Sequence, residues 1–193
     1  GIIHRLDKDV FIHKPSHVFL MTGMNDVIRT LYFEGEASNE IVQNRKKALD
    51  EYKRNIDILD EKFETSDIRP LYLTPSIYDQ YSKIEQENNM GCNDALIGYS
   101  DHIKSIAYQY DATVVDLNTP MKNIMKRELQ NDSLFTIVGK DRVHPETTGH
   151  FVMFHEILST IESSSLVAQI SIDLHQNPRI QTKNCIVENF QIF

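Results

Sequence analysis

The sequence predicts an α/β fold built on a parallel sheet, and three observations carry that reading. Long segments with helical spacing alternate with short apolar runs flanked by Pro, Gly, Asn or Asp. The run Val18-Phe19-Leu20-Met21 is apolar without alternation, the pattern of a strand covered by helices on both faces. The length of 193 residues, with 40% hydrophobic and 25% charged content, suffices for one domain with a sizeable core and at most a small appendage.

Taken in order, Ile2, Ile3, Leu6, Val10 and Phe11 stand at helical spacing over residues 2–12, and Lys14-Pro15 ends that helix. The strand Val18 to Met21 follows. A long helix is expected from about Glu40 to Phe63, capped by Asn39, with Ile41, Ala48, Leu49, Tyr52, Ile56 and Leu59 facing inward. Pro70 to Thr74 reads as the next strand. Ser76 to Met90 reads as a polar loop dotted with aromatics, long enough that a function accounts for it better than connection does. Asn93 is expected to cap a helix reaching about Tyr110, followed by a strand from Thr113 to Asp116. A helix from about Pro120 to Leu129 carries its proline in the first turn, and a last helix runs from Glu146 to about Ile161. Beyond Ser163 the pattern changes: Ile170, Ile172 and Leu174 alternate with polar residues, and Cys185 to Phe193 is again β-prone. The expected division is therefore a domain over residues 1–162 and a short β extension over 163–193, a hairpin or the start of a further module.

Charge narrows the partners. A net charge of −8 disfavours binding to a phosphate backbone, so nucleic acid is not an expected partner. Arg45-Lys46-Lys47 and the Lys122 to Arg127 segment lie beside acidic residues and read as solvated helix faces. No run of 18 apolar residues is present, so no bilayer span is expected. Cys92 and Cys185 form neither a Cys-x-x-Cys motif nor a disulfide framework. The first residue is Gly rather than Met, so the translation start is expected upstream.

Three features fall at strand ends or in the loops beyond them, where an open parallel sheet places its ligand crevice. Gly23-Met24-Asn25-Asp26 follows the first strand. Gly23 permits a tight turn, and the Asn25 amide can donate toward a developing oxyanion, although the same residues suit a plain turn. In Asp141-Arg142-Val143-His144-Pro145, a carboxylate three residues before a histidine can reach Nδ1 and leave Nε2 free as a general base. A local hydrogen bond at a helix entrance is the alternative. Thr74 to Asp79, after the next strand, stands where a pocket wall would be and is equally a turn.

Gly23-x-Asn25-Asp26 after a strand and Asp141-x-x-His144 before the final helix, in that order, resemble blocks III and V of the SGNH (GDSL-like) hydrolases. The phrase Lys14 to Gly23 and the segment Thr113 to Leu117 resemble the same family, and the likeness covers residues 1 to about 162. The resemblance implies a flavodoxin-like three-layer αβα sandwich and a Ser-His-Asp triad acting on carboxylic esters without a cofactor. Carried over, His144 is the base, Asp141 orients it and Asn25 is an oxyanion donor, with Gly23, Met24, Asp26, Tyr78 and Val143 lining the substrate site. The implied substrate is a short acyl or acetyl ester, with acetylated carbohydrate as the favoured carrier.

The chain departs from the family in two respects: block II, with the glycine that the resemblance assigns to the oxyanion hole, is absent, and so is the nucleophile block. The family's nucleophile lies in a Gly-Asp-Ser block on a first strand, and no Gly-Asp-Ser occurs in this sequence. The sequence is expected to start downstream of that strand, to be inactive by itself, and to expose the apolar strand Val18 to Met21 where the missing neighbour belongs. Ser76, the one serine expected at a strand end, sits on a different strand from the family nucleophile. Two other readings stand beside the esterase. One is a non-catalytic binding module on the same fold. The other is a metal site of Asp141, His144, His150 and His155, disfavoured because the last two are five apart on a helix and face different ways.

Overall fold

Residues 1–161, 166–173 and 179–189 are described by the structure, a computed structural model. The chain divides into two units, Gly1–Ile161 and Glu162–Phe193. In the first, a short helix α1 (Leu6–Asp9) precedes strand β1 (His17–Met21), and β2 (Arg69–Leu73) and β3 (Val114–Val115) complete a parallel sheet in the order β1-β2-β3. The long helices are α2 (Asn39–Thr65), α3 (Cys92–Gln109), α4 (Asn118–Glu128) and α5 (Thr147–Thr160).

Strand geometry sorts these helices into two layers, because successive strand residues point to opposite faces. Tyr72 joins Leu20 in a core with Tyr52, Ile56 and Phe63 of α2 and Leu96, Tyr99 and Ile103 of α3. Its neighbour Leu73 joins Val115 in a second core with Met121 and Met125 of α4, against which Val152 and Ile157 of α5 pack. The result is the αβα sandwich expected from the sequence.

Several expectations are corrected. The helix expected over residues 2–12 is broken into Ile3–Arg5, α1 and Phe11–His13, because Val10 leaves helical geometry at φ −127°. Helix α2 is capped by Ser38 rather than Asn39: the Ser38 Oγ accepts from Ile41 N at 3.3 Å, which is worth about 1 kcal/mol. Asn93 does not cap α3, which starts one residue earlier after Gly91 at φ +92°. It is buried, and its Oδ1 accepts from the Tyr78 backbone N–H at 3.0 Å. β1 is covered on one face only. Val18 and Leu20 pack inward, while Phe19 and Met21 are 54% and 46% exposed. They share a face with Leu71 and Leu73, and on that side α5 packs mainly against β3.

The segment after β2 holds neither helix nor strand, yet Tyr72 through Gln80 are all buried. A buried loop must find partners for its backbone, and this one does. Thr74 N donates to the Val115 carbonyl at 3.0 Å, the Ser76 carbonyl accepts from the Asn118 amide at 3.3 Å, and Tyr78 N donates to Asn93 Oδ1 at 3.0 Å.

A close approach fixes the start of α5. A Cβ added at Gly149 would stand 2.3 Å from the Ile137 carbonyl oxygen and 2.9 Å from Pro145 Cβ. Ile137 is backbone and cannot yield as a flexible side chain would. Gly149→Ala should therefore destabilise the complete protein by about 2–3 kcal/mol in urea unfolding, and an unchanged midpoint would remove this contact as a determinant.

In the second unit β4 (Gln169–Asp173) and β5 (Arg179–Lys183) form an antiparallel pair with Ile172 opposite Ile180. Among the described residues the partner of β4 is therefore Arg179–Lys183, and residues 185–189 of the expected run are not in a strand; the nearer segment closes the hairpin over a shorter connection at lower entropic cost. Leu174 and residues 190–193 lie outside the described residues. Among the described residues no helix is long and apolar enough to cross a membrane.

Candidate active site

The loops leaving the C-terminal ends of the parallel strands carry the polar residues singled out in the sequence. After β1 the chain turns at Gly23, whose φ of +113° is open to glycine and strained for other residues. Its N–H donates to Asp26 Oδ2 at 3.0 Å, and its carbonyl accepts from Asp26 N and Val27 N at 3.0 Å. Asp26 therefore holds the turn. Tyr99 supports it from below, donating to the Asp26 carbonyl at 3.4 Å, and Tyr52 hydrogen-bonds Thr22 Oγ1 at 3.2 Å, with the two rings 4.6 Å apart. Burial pushes the Tyr52 and Tyr99 phenols up, so both stay neutral. The Asn25 side chain is exposed and its amide makes no hydrogen bond to another described residue.

Asn25 opens onto a groove of about 810 Å³ that Gly23, Met24, Asp26, Tyr52, Asn55 and Ser76 also line. Ser76 is 6% exposed and is not hydrogen-bonded to His144. Tyr78 is not at the groove wall. It is 1% exposed, its hydroxyl accepts from Asn89 N at 2.8 Å, and it belongs to the core around α3. Val143 is likewise 8% exposed and packs into that core.

The second loop precedes α5. Asp141 Oδ1 accepts from Val143 N and His144 N, both at 3.0 Å, and Oδ2 meets His144 Nδ1 in a short contact. The backbone closes the loop as well, with Gly139 N donating to the His144 carbonyl at 2.7 Å. The His144 ring bond, the largest cause, together with the two backbone donors holds the Asp141 carboxyl down to about 2. With Nδ1 engaged, Nε2 points outward on a side chain that is 82% exposed, and it has no hydrogen-bond partner among the described residues. This arrangement can take a proton from a neighbouring hydroxyl or water. His150 and His155 face elsewhere, on the Glu146 carbonyl and on Glu156, and no group of three His, Cys, Asp or Glu converges among the described residues. Burial pushes the Cys92 thiol up to about 12, so it is not a nucleophile.

Arg142, read in the sequence only as part of the motif, is 2% exposed and reaches back into the 79–86 loop. A buried arginine looks like a surface one in sequence. The available signal was the long irregular segment, whose buried carbonyls demand donors.

Comparison with known proteins gives likenesses at the level of family, sequence and fold. The family profile described as GDSL-like Lipase/Acylhydrolase matches residues 2–157. An acetylxylan esterase of Geobacillus stearothermophilus is 25% identical over 159 residues, covering 81% of this chain and 64% of that protein. Among solved structures, a gut microbial diltiazem-metabolizing enzyme superposes with a TM-score of 0.80 at 24% identity, over 98% of this chain and 43% of its own. The crystal structure of an acetylxylan esterase from Geobacillus stearothermophilus gives 0.62 at 23% identity, over 84% and 67%. The chain thus spans less than two thirds of the acetylxylan esterase it matches in sequence and under half of the diltiazem-metabolizing enzyme.

Proposed function

We propose, for a chain that belongs to the GDSL-like lipase/acylhydrolase family, that it forms the base-bearing part of a serine esterase acting on short acyl esters. The observation that carries this reading is the Asp141 carboxylate on His144 Nδ1 with Nε2 turned outward and unpartnered among the described residues. In this reading a serine N-terminal to Gly1, on a strand beside β1, attacks the ester carbonyl while its proton passes to His144 Nε2. Asp141 stabilises the imidazolium, and the Asn25 amide donates to the tetrahedral oxyanion. Collapse expels the alcohol, which takes the proton back from Nε2. A water then gives its proton to Nε2 as it attacks the acyl-serine, and collapse releases the acid while that proton returns to the serine Oγ. No step draws on a cofactor.

Acetyl esters of carbohydrate are the substrate class this reading favours. The likeness to an acetylxylan esterase supports it, as does a groove whose lining includes Asn25, Glu51, Asn55 and Ser76, side chains able to bond sugar hydroxyls. In the test, the complete protein and residues 1–193 alone are each given p-nitrophenyl acetate and an acetylated xylo-oligosaccharide. Turnover of both esters by the complete protein and none by residues 1–193 is expected. An inactive complete protein would overturn the reading in favour of a binding module on the same fold, the second reading. That reading draws on the absence, among the described residues, of a serine bonded to His144.

A further inference from the structure

We infer that Arg142 is the positioning residue of the Asp141–His144 pair, tying the loop that carries these two exposed side chains to the folded 79–86 segment. This inference rests on the esterase reading above. Both members of the pair face solvent: the His144 side chain is 82% exposed and that of Asp141 51%. Their mutual bond fixes each to the other but neither to the body of the protein. The two residues between them do the reverse: Val143 packs into the core, and Arg142 sends its side chain into the 79–86 loop.

Arg142 is 2% exposed, and its guanidinium is enclosed by main-chain oxygens. Nε donates to the Gln86 carbonyl at 3.1 Å, and Nη2 donates to the carbonyls of Ile84 and Gln86, each at 2.9 Å. Nη1 donates to the Asp79 carbonyl at 2.9 Å and to the Ser82 carbonyl at 3.3 Å, with Ser82 Oγ at 3.4 Å. In return the Arg142 carbonyl accepts from Asp79 N at 2.9 Å. The receiving loop is itself held in shape, since Asp79 Oδ1 accepts from Tyr81 N and Ser82 N, both at 3.0 Å.

Two physical points separate this clamp from ordinary packing. A buried guanidinium costs several kcal/mol in lost hydration, which fully satisfied donors offset but an apolar side chain would never incur. The Arg142 backbone also sits at φ +65°, a region that costs a residue with a side chain about 1–2 kcal/mol. That turn aims the Arg142 side chain inward while the side chains at positions 141 and 144 stay outside. An expensive contact and a strained turn thus coincide at the position directly after Asp141. Freed from its carbonyls, the loop can drift by an ångström or so without unfolding, and displacement on that scale costs a catalytic group about 100-fold in rate.

The test compares Arg142→Gln, Arg142→Lys and His144→Ala in the complete protein with p-nitrophenyl acetate as the probe, each checked for native circular dichroism. Arg142→Gln is expected to lower kcat about 100-fold with KM within about threefold. Arg142→Lys keeps the cation but not the fork, and should fall between, at about tenfold. A merely structural role would instead lower the melting temperature while leaving kcat of the folded enzyme near wild type, and that result overturns the inference. Failure of both Arg142 variants to fold overturns it too, making Arg142 a plain structural anchor. His144→Ala separates the layers: if it abolishes turnover while Arg142→Gln does not, only the inference falls. If His144→Ala stays active, the esterase reading falls and takes the inference with it.

Discussion

Replacing His144 with alanine in the complete protein should lower kcat for p-nitrophenyl acetate by about four orders of magnitude or more, with KM little changed. The expectation follows from where the side chain sits. It is 82% exposed, so removing it leaves no cavity and the fold is not at stake. What is lost is the imidazole at the end of the parallel strands whose Nδ1 is gripped by Asp141 while its other nitrogen faces solvent. Asp141→Asn should approach the same loss while keeping the shape, because an amide favours the wrong imidazole tautomer. Acidification acts differently. The Asp141 carboxyl is held down to about 2, below the ordinary carboxylate range, so its contribution to stability is present above about pH 4 and fades as pH falls toward 2. Loss of activity near neutrality is therefore not protonation of Asp141. Turnover by His144→Ala above about one per cent of wild type would take the histidine out of the mechanism.

The pair and the turn were legible in sequence because both are local. Asp141 reaches His144 across three positions, and Gly23 and Asp26 close their turn over the same span, so spacing and residue type suffice. The sheet was legible for a related reason: apolar runs and helical periods report burial directly. What escaped depends on partners far along the chain. Tyr78 and Asn93 looked like a pocket wall and a helix cap, yet they pair with each other inside the core. Arg142 finds its acceptors 56 to 63 positions away, a contact no local pattern encodes. The strand β5 was misplaced because two β-prone stretches compete at similar strength, and cross-strand pairing of Ile180 with Ile172, not propensity, selects between them.

Changing Phe19 to lysine should have opposite effects in the isolated chain and in the complete protein. β1 is hydrogen-bonded to β2 alone, at one end of the sheet, and its outer edge is open among the described residues. Phe19 and Met21 are exposed on the face where α5 packs mainly against β3, and α5 itself exposes Phe151 and Phe154, whose rings stand 6.3 Å apart. An open strand edge beside exposed aromatic surface templates association with other chains. Residues 1–193 alone should therefore be aggregated or require a complementary segment, and Phe19→Lys should raise the monomeric fraction seen by size exclusion. In the proposed complete enzyme a serine-bearing strand pairs with that edge and the segment following it covers Phe19. There the same lysine would be buried, costing about 3 kcal/mol, a drop of roughly 6–12 °C in the melting temperature. Two outcomes would sink the idea: a cooperative monomeric melt of the unaltered residues 1–193, or a complete protein indifferent to Phe19→Lys. Either would mean that β1 ends the sheet natively, and a nucleophile beside it would have no strand to stand on.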